Sequence, residues 1–328
     1  MPLWLTRADV QSILTMPAAI DAVEQAFALL SRGQTALPLR TNMPVAEHSG
    51  SLLAMPAYVG GESGGLGVKL ITLYAGNPQQ RSLPAIQGNF VLFDPVDGRL
   101  LAILEAGYMT AVRTGASGGV AARHLARADA RTLTIFGSGA QAPFQVEAVC
   151  AERPIERVYV LSQRLENAQR FAAEQSRRLD VEIVATDDVA AAVRAADVIV
   201  TATSAHAPLF DGDWLRPGTH VNAVGAHLPT AREVDTSTIR RAKVVTDQTS
   251  ACLAEAGDLI VPIRENAIDV SHIYAEIGRI AAGDLPGRAD PDEITFFKSV
   301  GLAVQDVAVA SLIVQQALAR GIGQHLEE

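Results

Sequence analysis

The sequence predicts an α/β protein in which a doubly wound parallel sheet is inserted into a second, α+β domain, and three observations carry that expectation. First, residues 132–142 read T-L-T-I-F-G-S-G-A-Q-A: an apolar run breaks at Gly137-Ser138-Gly139 and passes into helix-favouring residues, with Ala142 in the third small position. Strand, tight glycine turn and helix start, in that order, let a pyrophosphate rest on a helix N-terminus, as in a Rossmann-type dinucleotide fold. Second, strand-like and helix-like runs alternate from 131 to about 300, which implies parallel strands joined by right-handed crossovers. Third, residues 37–105 change to short apolar or alternating runs separated by Gly, Pro and Asn, the mark of a largely antiparallel sheet.

With 328 residues, 48% of them hydrophobic and 19% charged, the chain can bury a sizeable core and holds two domains, or one with an insertion. A net charge of −9 argues against nucleic acid or an anionic membrane as the main partner. Cys150 and Cys252 are distant and fit no motif, so both are expected to be small buried hydrophobes, without a disulfide framework or cysteine zinc site. No apolar run approaches the roughly 18 residues of a membrane helix, and the N-terminus lacks a long apolar signal region. The expectation is a soluble, cytoplasmic protein.

In chain order, residues 8–32 read as a helix: Ala18, Ile20, Val23, Phe27 and Leu30 recur at helical spacing, and Gly33 ends it. S-L-L-A-M-P-A-Y, G-L-G-V-K-L-I-T-L-Y, G-N-F-V-L-F-D and G-R-L-L-A-I-L-E read as strands, with D-P-V-D-G-R at 94–99 as a turn. An Ala-rich helix follows at 107–125. Strands are then expected at 132–136, 157–161, 181–185, 197–202, 219–224 and 243–246. After residue 300 a single long helix has a broad apolar face that must be buried, and the first domain offers a place for it. The expected boundaries are 1–120 plus 301–328 for one domain and 121–300 for the dinucleotide domain.

The second strand of the nucleotide domain ends in Ser162-Gln163-Arg164, with no carboxylate before Glu166. An acid there usually bonds both ribose hydroxyls; its absence removes repulsion toward a 2′-phosphate, to which Ser162 and Arg164 can donate. NADP(H) is therefore favoured, with NAD(H) still usable, unless Arg164 is only a solvated residue at a helix start. Thr201-Ala202-Thr203-Ser204 and Asn222-Ala223-Val224-Gly225-Ala226 fall at carboxyl ends of strands, where such sheets bind ligands. They either approach ribose and nicotinamide or form ordinary loops. Arg40, Lys69 and Arg113 are cations in apolar or small surroundings, and an ammonium inside a strand is costly unless paired. Together they would bind a carboxylate well; apart they are surface charges. The histidines, His220 among them, lack metal-ligand spacing, so no metal is expected.

M-P-A-Y at 55–58, V-K at 68–69 followed by G-N-P, V-R-T at 112–114 and G-S-G-A-Q-A at 137–142 recur in a known family. So do P-G-T-H-V-N-A-V-G-A at 217–226, E-I-G at 276–278 and F-K-S-V-G-L-A-V-Q-D at 297–306. Over essentially its whole length the chain resembles the ornithine cyclodeaminase/μ-crystallin family. The resemblance implies substrate-carboxylate contacts at Arg40, Lys69 and Arg113, the last also approaching the cofactor phosphate. It implies cofactor contacts at Ala140, Gln141, Ser162, Gln163, Arg164, Thr201, Val224, Gly225 and Ala226, and a homodimer paired through the sheets of the first domain; Gly137 and Gly139 of the turn, Thr203 at its strand end and Ser299 are further candidates for the cofactor. Family members that cyclise ornithine carry aspartate after this loop, where the chain has Gly225-Ala226-His227. His227 either takes over that titratable role or lines the pocket or faces solvent.

These differences imply the ketimine-reductase branch of the family. The expected activity is NAD(P)H-dependent reduction of a small cyclic imino acid, Δ1-pyrroline-2-carboxylate to L-proline, with Lys69 and His227 as candidate catalytic groups. Two alternatives stay open: an ornithine or lysine cyclodeaminase or amino-acid dehydrogenase, and a crystallin-like protein that holds NADPH and a carboxylate without turnover.

Overall fold

The computed structural model describes residues 1–61 and 64–326. The chain opens with β1 (Leu3–Leu5), α1 (Arg7–Ile13) and α2 (Met16–Ser31). Thr6 and Asp9 cap α1 reciprocally: the Asp9 carboxylate accepts from the Thr6 N–H at 2.9 Å, and the Thr6 hydroxyl accepts from the Asp9 N–H. The single helix expected over 8–32 is thus two, bent by 88° at Leu14 and Thr15. Pro17 supplies the reason. It has no N–H to continue the ladder from α1, yet it fits the first turn of α2. Gly33, at φ +68°, closes α2 where the sequence places the end.

β2 (Thr35–Ala36), β3 (Thr41–Val45), β4 (Gly50–Val59), β5 (Gly65–Leu73), the short helix α3 (Asn77–Gln80), β6 (Ile86–Phe93) and β7 (Leu100–Glu105) follow. The turn between β6 and β7 forms around Gly98 at φ +76°, with the Asp94 carboxylate accepting from the Val96 N–H. α4 (Ala106–Leu125) comes next.

Strands and helices then alternate: β8 (Thr132–Phe136), α5 (Ala142–Glu152), β9 (Arg157–Leu161), α6 (Leu165–Gln175), β10 (Glu182–Ala185), α7 (Val189–Ala195), β11 (Val198–Thr201) and β12 (His220–Ala223). α8 (Thr236–Arg241), β13 (Lys243–Thr246), α9 (Thr249–Glu255), α10 (Gly257–Arg264), β14 (Ile273–Glu276), α11 (Ile277–Ala281) and β15 (Thr295–Lys298) complete the alternation. The chain ends with α12 (Ala303–Arg320) and β16 (Gln324–His325).

Two compact units result, one of residues 1–113 with 302–328 and the other of residues 114–301. In the first, the sheet order is β16-β1-β7-β6-β5-β4-β2, with β3 also on β4. Every pairing is antiparallel except β1 with β7. α12 lies against α2 and against β4, β5 and β6, so its apolar face is buried as its composition demands. Val10, Ile13, Ile20, Val23 and Phe27 from α1 and α2 are buried as well, each worth about 1.5–3 kcal/mol against exposure.

The second unit is a parallel sheet in the order β10-β9-β8-β11-β12-β15-β13-β14. The sequence direction reverses between β8 and β11, the switch point that opens a crevice at the carboxyl ends of the strands. β14 and β15 were not expected. Thr295-Phe296-Phe297-Lys298 is buried along its whole length, but only Phe296 and Phe297 form a continuous apolar run, short of the roughly four residues that mark a buried strand. β15 also separates β12 from β13, which are consecutive in the chain. Cys252 is buried as expected, whereas Cys150 is only partly buried; both are free thiols. Among the described residues no single helix is long and apolar enough to cross a membrane.

Candidate active site

Lys69 lies midway along β5, opposite Met55 on β4 and Phe90 on β6. Directly opposed residues share a face, so the ammonium sits beside a thioether and a ring and is 1% exposed. α12 delivers its partner. Asp306 Oδ2 is 2.7 Å from Lys69 Nζ, and Asp306 Oδ1 is 2.9 Å from Arg113 Nε. Arg113 also donates from Nη1 to Gln305 Oε1 at 2.6 Å. α4, which carries Arg113, starts on the Glu105 carboxylate, which accepts from the Gly107 and Tyr108 N–H groups at 2.8 and 3.0 Å. That cap satisfies first-turn donors and fixes where Arg113 emerges.

Two buried cations against one buried carboxylate leave an excess of positive charge. Burial and then the Arg113 charge pull Lys69 down from its ordinary value to about 8, against the opposing pull of Asp306; half-buried Arg40 adds to the lowering. An ammonium in this state attracts a carboxylate and can release its proton near neutral pH. The three cations of the sequence reading are therefore within one electrostatic cluster. Asp306 was missed, yet it carried a signal: an acid inside the apolar run G-L-A-V-Q-D-V-A-V-A must be paired if the helix is buried.

In the second unit the glycine turn has the geometry its sequence implies. Gly137 adopts φ +107°, and a Cβ there would lie 2.5 Å from the Ala202 carbonyl oxygen. At Gly139 an added Cβ meets nothing within 4 Å, so the backbone borders open space. Ala140 and Gln141 lead into α5, whose N-terminus has no side-chain cap. Open space against an uncapped helix N-terminus fits a dinucleotide pyrophosphate. Ser162, at the end of β9, shares a hydrogen bond with Ser138 of the turn at 2.9 Å, while Gln163 and Arg164 are exposed.

The other strand ends converge on an acid that sequence reasoning did not single out. Thr201 is fully buried and donates its hydroxyl to Glu233 Oε2 at 2.8 Å; Thr203 donates its N–H and hydroxyl to Oε1, each at 2.7 Å. The Gly225 and Ala226 N–H groups donate to Oε2 at 2.8 and 3.2 Å. Val224, half-buried, donates its N–H to the Thr201 carbonyl. Ser299 is likewise turned inward, donating to Asp247 Oδ2 at 2.9 Å. The hydroxyls of Thr201 and Ser299 are thus committed to buried carboxylates. His227 is exposed, with Nδ1 3.0 Å from the Gly225 carbonyl. His220 is buried between Thr295 and Asn222, and burial drives it down to about 3, so it is a neutral structural ring. Among the described residues no group of His, Cys, Asp or Glu is arranged to hold a metal ion.

A model of the ornithine cyclodeaminase/mu-crystallin family matches residues 2–321. The Δ1-pyrroline-2-carboxylate reductase of Bacillus cereus is 38% identical over 320 residues, 97% of this chain and 98% of the relative. A solved structure of Thermococcus litoralis Δ1-pyrroline-2-carboxylate reductase with NADH and L-proline gives a TM-score of 0.93 at 41% identity, covering 99% of this chain and 100% of that one. An archaeal alanine dehydrogenase dimer with bound NAD gives 0.91 at 34% identity, covering 99% of each chain.

Because Lys69 holds its proton below about pH 8 and releases it above, affinity for a small carboxylate should fall as pH rises through that value. Lys69→Met, which cannot titrate, should bind weakly at every pH with that step gone. Calorimetric titration across a pH series reads both outcomes, and a flat profile for the unmodified protein would remove Lys69 from the anion site.

Proposed function

The chain belongs to the ornithine cyclodeaminase/μ-crystallin family, and on that premise we propose that it reduces a small cyclic ketimine carboxylate with a nicotinamide dinucleotide. The best-supported substrate is Δ1-pyrroline-2-carboxylate, giving L-proline. The observation that carries this reading is the buried Lys69–Asp306–Arg113 cluster, with the Bacillus and Thermococcus reductases as support. Reducing a cyclic C=N needs a hydride at carbon, a proton at nitrogen and a hold on the adjacent carboxylate. The bound dinucleotide supplies the hydride. Arg40 and Arg113 hold the carboxylate, and Lys69 contacts it and donates the proton. Protonating the imine nitrogen makes its carbon more electrophilic. Asp306 fixes the direction of the ammonium and supports its charged form.

His227 stands where cyclodeaminases carry aspartate, and it faces solvent. A substrate that is already an imine needs no amine deprotonation, so reduction survives that replacement and His227 is dispensable or at most assists proton transfer. The archaeal alanine dehydrogenase favours a second reading, an amino-acid dehydrogenase acting on a linear substrate. Residues 121–300 bind the dinucleotide through Gly137, Gly139, Ala140, Gln141, the Ser162–Arg164 segment and the loops at 201–203 and 224–226. NADP(H) is preferred and NAD(H) usable, because the end of β9 offers hydroxyls and a guanidinium and no carboxylate.

Residues 1–120 and 301–328 bind substrate and pair two subunits. The face of the first sheet opposite Lys69 carries Met43, Tyr58, Leu66 and Leu70, all exposed, and an apolar sheet face of this kind suits a partner. A cytoplasmic role in proline metabolism goes with that substrate.

Following cofactor oxidation at 340 nm (the wavelength of reduced nicotinamide) tests the main reading. Measurable turnover is expected with five-membered, and to a lesser degree six-membered, cyclic ketimine carboxylates, and little or no ammonia release from L-ornithine. Turnover of pyruvate with ammonia but of no cyclic imine would establish the linear dehydrogenase instead.

Cofactor choice rests on Ser162. NADPH should exceed NADH in kcat/KM, and Ser162→Asp should shift preference toward NADH by about tenfold or more, since an acid repels the 2′-phosphate and bonds the ribose hydroxyls. Equal use of both by the unmodified enzyme would contradict this.

A further inference from the structure

The loops after β11 and β12 are separated by some twenty residues of chain, yet one carboxylate ties them together. Glu233 is fully buried and accepts from Thr201 and Thr203 of one loop and from Gly225 and Ala226 of the other. The approach is close: a Cβ at Gly225 would lie 2.3 Å from the Thr203 carbonyl oxygen and 2.5 Å from Glu233 Oε1. Only glycine lets the two loops meet across this carboxylate.

Glu233 is itself held. Its N–H donates to Asp258 Oδ1 at 2.7 Å, and Asp258 Oδ2 is 2.8 Å from Lys298 Nζ. Lys298 ends β15, the strand beside β12. Burial alone would lower Lys298, but Asp258 and Glu233 hold it above its ordinary value, so the ammonium stays charged under the two acids. The exposed surface of the loops is thus supported by a buried chain of Glu233, Asp258 and Lys298.

We propose that Glu233 is a positioning residue that locks loops 201–203 and 224–226 into one rim at the carboxyl ends of β11 and β12, and so sets where the nicotinamide ring lies. The inference rests on the dinucleotide reading above. Glu233 is too buried to touch the cofactor and acts through the loops. In Glu233→Gln the amide nitrogen cannot accept, so N–H and O–H donors from one loop are left facing another donor. The rim loosens, and a reacting group misplaced by about 1 Å can cost on the order of 10²-fold in rate.

The test compares dinucleotides with fragments that lack nicotinamide. NADPH and 2′-phospho-ADP-ribose, with NADH and ADP-ribose in parallel, are titrated into the unmodified protein, Glu233→Gln and Thr201→Val. Glu233→Gln should bind the fragments within about twofold of normal, bind the whole dinucleotides about tenfold more weakly, and lose about 10²-fold in kcat. Thr201→Val removes one donor hydroxyl without changing side-chain shape, and should shift the same quantities in the same direction by less. It decides the matter if Glu233→Gln does not fold. A general structural role would weaken fragment and dinucleotide alike; that result, or no change in either, would overturn the inference. If the unmodified protein binds neither class of probe, the dinucleotide reading falls and the positioning role with it. If it binds both and the variants fail to separate them, only the positioning role falls.

Discussion

An ion pair buried between a strand and a helix that are distant in sequence shapes the first unit. Removing Lys69, Arg113 and Asp306 from water costs several kcal/mol per ion, and their mutual attraction recovers this only with close geometry. The observed separations are 2.7 and 2.9 Å. Apolar residues of similar volume would stabilise the fold as well or better, so the cluster is better explained by what it does to Lys69 than by stability. Removing Asp306 alone would leave Lys69 and Arg113 without the carboxylate they share. The return of α12 onto β4, β5 and β6 is therefore a chemical requirement as well as a way of burying an apolar helix.

The second unit uses the same device with the sign reversed. Glu233 and Asp247 are buried acids placed where loops leave the sheet, and each gathers backbone N–H groups that would otherwise be unpaired. Hydroxyls at the strand ends take part in this as well: Thr201 bonds Glu233, and Ser299 bonds Asp247. Preorganisation comes from the buried side of each loop. The surface left for a ligand is mostly backbone and small side chains, which suits close approach of a flat ring.

Much of this was legible before any coordinates. The glycine turn at 137–139, the strands β8 to β12 and the apolar C-terminal helix follow from periodicity and turn chemistry, because those signals are local. The break between α1 and α2 follows from Pro17 but is hidden by apolar spacing that runs on across it. β15 was invisible because its continuous apolar run is only Phe296-Phe297, and its place between β12 and β13 depends on packing rather than on order along the chain. The cations at 69 and 113 stood out as charges in apolar surroundings. Their partner Asp306 lies some two hundred residues away, and the same reasoning applied to α12 would have found it. Glu233 and Asp258 gave no such sign, since acids in a loop and at a helix start are ordinary at the surface.

Direct titration of the Lys69 ammonium by NMR, with isotope-labelled lysine and assignment by Lys69→Arg, measures what the buried cluster does. The resonance should titrate near 8. It should move higher when a small carboxylate is bound and lower in Asp306→Asn, because an added negative charge favours the ammonium and a lost one disfavours it. Titration at the ordinary lysine value, unmoved by Asp306→Asn, would mean that the cluster does not tune Lys69 and that the proton for imine reduction comes from another group.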